Sequence, residues 1–77
     1  MPTLKIIDGI KIDVYPREHP PPHFHAISAE DEELIVIETL ETYVGELPNR
    51  KRKKVVEWAF ENQNFLMENF KRLNPNL

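Results

Sequence analysis

The chain contains no cysteine, one serine and only two glycines in 77 residues. Without cysteine there is no disulfide framework, no thiolate metal site and no cysteine nucleophile, and small secreted domains usually depend on such staples. A reducing cytoplasm is the expected setting. Ser28 has no triad-like neighbours, and Gly9 and Gly45 stand too far apart to form a phosphate-cradling loop. No window approaches the ~20 apolar residues of a membrane span. The start, Met1-Pro2-Thr3-Leu4-Lys5, lacks the charged and apolar regions of a signal peptide, so no leader and no membrane association are expected.

What is present describes a small folded protein. With 40% hydrophobic and 30% charged residues the composition is globular, and residues 1–77 are expected to form a single domain with a narrow stability margin. The net charge of −3 is segregated. Residues 30–46 hold Glu30, Asp31, Glu32, Glu33, Glu38, Glu41 and Glu46 and no basic residue, whereas Arg50, Lys51, Arg52, Lys53 and Lys54 run consecutively.

The pattern predicts an antiparallel sheet region over 1–48 followed by one long helix over 49–73. Asp8-Gly9 between β-branched runs is a strong hairpin signal, joining strands at Leu4–Ile7 and Ile10–Tyr15. Ile10, Ile12 and Val14 share one face of the second strand. Further strands are expected at His23–Ser28, at Glu33–Glu38 after a turn over Ala29–Glu32, and at Tyr43–Leu47 with Gly45 as a bulge. Leu34 to Ile37 are apolar on both faces, which suggests a central strand.

From Asn49, a candidate cap, to Leu73 there is neither glycine nor proline, and Pro75 forbids continuation. Val55, Ala59, Leu66, Phe70 and Leu73 form the apolar stripe, flanked by Val56, Met67 and Phe60. Trp58 and Phe65 widen that arc and make a candidate partner surface. The fold expected is α+β: a strongly curled antiparallel sheet of four to five strands with one long C-terminal helix packed on one face.

The three histidines all lie in His19-Pro20-Pro21-Pro22-His23-Phe24-His25. Consecutive prolines favour a stiff extended rod over His19–Pro22. On a strand, His23 and His25 project from one face about 6.6 Å apart. That spacing suits chelation of a divalent transition metal such as zinc or nickel, with His19 as a third ligand and Glu18 as another candidate. The same histidines can instead brace a turn through hydrogen bonds, with Phe24 anchoring the core. Arg50 to Lys54 oppose the helix dipole, so they are expected to meet either the acidic segment or an external anion or acidic partner.

With His19 to Ala26, the Met1-Pro2-Thr3 start, Gly9, Gly45-Glu46-Leu47-Pro48 and Val56-Glu57-Trp58-Ala59, the chain resembles a bacterial family catalogued as domain-of-unknown-function family 4160. Where that family commonly has Asp before the first histidine, this chain has Glu18. The resemblance implies a small stand-alone protein with a small protein partner encoded nearby, in an arrangement similar to a toxin-antitoxin pair. Two functional expectations follow. The first is a non-enzymatic binding or regulatory module acting through that partner, with a homodimer or a nucleic acid as other occupants. The second is a small metal-dependent hydrolase or nuclease built on His19, His23 and His25.

Overall fold

Asp8 and Gly9 both adopt positive φ, 48° and 81°, which closes a two-residue hairpin between β1 (Thr3–Ile7) and β2 (Ile10–Asp13). The structure is a computed structural model and describes residues 3–76. Met1 and Pro2, which weighed in the expectation of no leader, and Leu77 lie outside the described residues. A second tight hairpin, with Ala29 at φ 51°, joins β3 (His23–Ser28) to β4 (Asp31–Val36). The turn is thus shorter than the expected Ala29–Glu32, and β4 begins and ends two residues early. It stops because the chain turns at Val36: the Leu40 N–H donates to the Val36 carbonyl at 2.8 Å, and the Val36 N–H to the Glu41 carbonyl at 2.9 Å.

β5 (Thr42–Gly45) completes an antiparallel meander in the order β1-β2-β3-β4-β5. The strong curl expected from the sequence is absent, because β1 and β5 stay at opposite edges and never pair. Nor is Gly45 the bulge. Leu34 pairs with Val44 and Ile35 with Thr42, so the extra residue is Tyr43. Gly45 is needed for a different reason: its φ is 84°, and a Cβ there would lie 2.2 Å from the Glu32 carbonyl oxygen.

Cross-strand partners share a face. Ile12 pairs with Ala26, Ala26 with Glu33, and Phe24 with Ile35, and every one of these side chains is buried. Val55, Ala59, Leu66 and Phe70 cover this face, as the helical stripe predicts. The other face carries Lys11, Asp13, His25, Ile27 and Leu34.

The single long helix is not observed. α1 (Asn49–Phe60) and α2 (Gln63–Leu73) are separated by a corner at Glu61 and Asn62. A straight helix over 49–73 would run about 37 Å, whereas six-residue strands span about 20 Å; the corner lets both halves of the stripe reach one small sheet. It forms without glycine or proline because Asn62 competes for helix acceptors. Its side-chain amide donates to the Trp58 carbonyl at 2.7 Å, and its backbone N–H reaches only back to Ala59 at 2.9 Å. Gln63 Nε2 donates to the Ile37 carbonyl at 2.8 Å, pinning the corner to the chain after β4. Trp58 packs edge-on against Phe65 across the corner, with ring centroids 6.5 Å apart. Trp58 is half-buried against the core, while Phe65 and Phe60 are exposed. Asn49 does not cap; Pro48 holds that position, and no side chain caps α1. Among the described residues no helix is long and apolar enough to cross a membrane.

Sheet and helix are locked by Glu33, which is 1% exposed. Its carboxylate accepts from Thr42 Oγ1 at 2.5 Å, the Leu47 N–H at 3.0 Å and Arg52 Nε at 2.7 Å. Arg52 Nη2 also donates to the Leu40 carbonyl at 3.0 Å. Burial pushes the Glu33 carboxyl pKa up, but the bonds from Thr42, Arg52 and the Leu47 N–H outweigh it and hold the pKa below the ordinary glutamate range. A depressed carboxylate stabilises the fold at pH values above the unfolded-state pKa, and that contribution is lost as pH falls through the folded-state pKa. Glu33→Gln should therefore cost about 2 kcal/mol in urea unfolding at pH 7. The deficit should shrink on acidification; an equal deficit at neutral and acid pH would remove the ionic account.

Candidate metal centre

Between β2 and β3 the chain bends at Pro16-Arg17 and again at Pro20-Pro21, whose peptide is cis, in place of the continuous extended rod expected from the prolines. The loop is fastened from the far end of the sequence. Asn74, buried at the C-terminus of α2, accepts from the Glu18 N–H through Oδ1 at 2.8 Å. Its Nδ2 donates to the Tyr15 carbonyl at 2.9 Å and the Phe70 carbonyl at 3.0 Å. These bonds hold Glu18 over the start of β3.

There Glu18, His23 and His25 converge, each offering one ligand atom within 4.8 Å of the others. The partners of each imidazole fix its tautomer. His23 Nδ1 lies 2.7 Å from the Pro21 carbonyl oxygen, which can only accept, so Nδ1 carries the proton. Nε2 lies 2.9 Å from Glu18 Oε1, to which it donates when the ring is doubly protonated and presents a lone pair when the ring is neutral. His25 Nδ1 lies 2.8 Å from Glu32 Oε2, which likewise assigns its proton to Nδ1. His25 Nε2 is buried without a hydrogen-bond partner, 3.7 Å from Glu18 Oε2. Both Nε2 atoms thus face one carboxylate, and that of His25 has no hydrogen-bond partner.

The surroundings hold these groups in place. The His23 and His25 ring centroids are 5.5 Å apart, close to the roughly 5 Å expected for two imidazoles on one ion. The His23 ring also packs, tilted, 5.8 Å from the Phe70 ring and 5.4 Å from the Tyr43 ring. Tyr15 meets His25 edge-on at 4.7 Å and donates its hydroxyl to Asp13 Oδ2 at 2.8 Å. That bond, with burial and the nearby carboxylates of Asp13, Glu32 and Glu18, pushes the phenol up to about 12. Tyr15 is therefore a neutral hydroxyl donor to Asp13 in this arrangement. Asp13, fully buried, accepts a further bond from Thr3 Oγ1 at 2.7 Å.

His19 stands apart: it is exposed, with its ring centroid 6.5 Å from that of His23. The carboxylate of Glu18 takes the third place in the cluster. The basic run is not part of it either. Lys51 Nζ donates to Ser28 Oγ at 2.8 Å, Lys54 reaches Asp8 at 2.5 Å, and Arg52 is committed to Glu33, while Arg50 and Lys53 are exposed. Asp8 and Ser28 mark the hairpin end of the sheet, whereas His23 begins β3 at the other end, about 17 Å of strand away. Glu32, which orients His25, went unnoticed in the sequence; the short β3–β4 hairpin was the signal, since it returns Glu32 beside Ile27, two residues from His25.

Fold and cluster together define a small α+β protein whose sheet end carries two histidines and a glutamate. The chain belongs to the family described as Domain of unknown function (DUF4160), whose model matches residues 9–71. No curated protein and no solved structure matches it.

Asn74→Ala removes two hydrogen bonds between the end of α2 and the Tyr15–Glu18 loop and a third to the Phe70 carbonyl within α2, and should destabilise the fold by about 1–3 kcal/mol. The ring resonances of His23 and His25 should shift as Glu18 is released, with those of His19 unchanged. Unmoved His23 and His25 signals would show that Asn74 does not position the cluster.

Proposed function

We propose that Glu18, His23 and His25 hold a divalent transition metal of the zinc or nickel class. The observation that carries this reading is His25 Nε2, a buried lone pair without a donor, aimed at the same carboxylate as His23 Nε2. Leaving such an atom unsatisfied is costly, and a cation between the three groups satisfies all of them at once. The Nδ1 contacts to the Pro21 carbonyl and to Glu32 are of the kind that orient imidazole ligands and raise their basicity. A set of two histidines and one carboxylate leaves coordination positions open, and an ion with open positions activates bound water for hydrolysis. That chemistry supports the hydrolase reading, with Glu18 in the place expected of His19 and with Arg50 to Lys54 outside the site. The reading in which the protein acts through a protein partner draws on a separate surface, the edge of the sheet at β5.

Metal-stripped protein titrated with zinc and with nickel should bind one equivalent with micromolar or tighter affinity, shifting the His23 and His25 ring resonances. Glu18→Gln and His25→Ala should each weaken binding more than roughly a hundredfold, and Glu32→Gln by roughly tenfold or more. His19→Ala should leave it unchanged. Absence of binding would instead make the cluster a structural brace, with a doubly protonated His23 paired to Glu18.

A further inference from the structure

The outer edge of β5 is open. The strand pairs only with β4, and all four of its residues are exposed, Val44 by 55% and Tyr43 by 39%. The Glu46 N–H donates to the Glu32 carbonyl at 3.1 Å, so strand alternation turns the N–H and C=O of Gly45 away from β4, toward the edge. Gly45 cannot carry a side chain to shield them, because a Cβ would collide with the Glu32 carbonyl. Bare backbone groups beside exposed apolar side chains form a template for another strand.

Charge selects the occupant. Exposed Glu41 and Glu46 bracket β5, and no basic residue lies between positions 30 and 46. A second copy pairing two-fold through β5 would set Glu41 opposite Glu46 at both ends, and like charges across a strand pair are destabilising. An extended segment with basic ends reverses that sign. We propose that β5 takes as a sixth strand an extended segment of another protein, with an apolar centre over Tyr43 and Val44 and Lys or Arg against Glu41 and Glu46. Because the Tyr43 ring lies 5.4 Å from that of His23, the docked strand runs alongside the histidine cluster. Docking itself requires no metal.

The test uses the whole chain and two blocked hexapeptides, Lys-Thr-Val-Thr-Val-Lys and its analogue with Glu at both ends, in metal-free buffer. The basic peptide should bind and slow amide hydrogen exchange at Gly45, and rising salt should weaken it. The acidic peptide should bind roughly tenfold more weakly or not at all. In the Glu41→Lys/Glu46→Lys variant, whose substituted positions are exposed, the preference should invert. Unchanged exchange at Gly45 with the basic peptide up to the millimolar range would overturn the proposal, as would equal affinity for the two peptides. So would a peptide-free protein that self-associates in sedimentation with Gly45 already protected, since the edge would then belong to a second copy.

Discussion

A carboxylate buried between a sheet and a helix must be matched by donors from both, and Glu33 is where this fold meets that requirement. Thr42 approaches from β5, the Leu47 N–H from the connection and Arg52 from the first turns of α1. One side chain therefore fixes β5 beside β4 and sets where the helical layer begins. It also relieves part of the penalty of a basic helix N-terminus, since Arg52 faces a buried anion as well as the positive end of the dipole. Lys51 and Lys54 extend the same seam to Ser28 and Asp8 at the hairpin end. The seam is why the basic run serves the fold at that end.

At the other end of the sheet the equivalent fastening is Asn74. Glu33 sets the start of the helical layer and Asn74 its finish, and the finish is what brings Glu18 over β3. The cluster so formed is unusual in its proton accounting. Each histidine commits its Nδ1–H to an outside acceptor, the Pro21 carbonyl or Glu32, leaving both Nε2 atoms turned toward Glu18. Tyr15 and Asp13 pair with each other, so neither lends a proton to the gap.

Much of the sheet was legible in the sequence because its signals are local. Asp8-Gly9 accepts positive φ at both positions, the alternation of Ile10, Ile12 and Val14 marks one buried face, and the stripe from Val55 to Phe70 marks the surface that covers it. The errors were of another kind. The corner at Asn62 depends on a side-chain amide outcompeting helical hydrogen bonds once the sheet proves too short for a straight helix, and sheet length is not written in the helix. The limits of β4 and the bulge at Tyr43 rest on pairings and turns whose geometry no single strand contains.

For the site, the sequence by itself determined that His23 and His25 share one side of a strand, since a two-residue period follows from the backbone alone. It placed Glu18 and His19 near them and favoured His19 as the third ligand, with Glu18 as another candidate. Only the tertiary structure decided between the two, because the choice depends on how the proline loop is tethered, and its tether, Asn74, lies more than fifty residues away. It likewise decided that Lys51 and Lys54 meet the far end of the sheet while Arg52 reaches Glu33 and the Leu40 carbonyl: adjacency in sequence fixes a run of charge, but the direction in which a helix crosses a sheet fixes what that charge can reach.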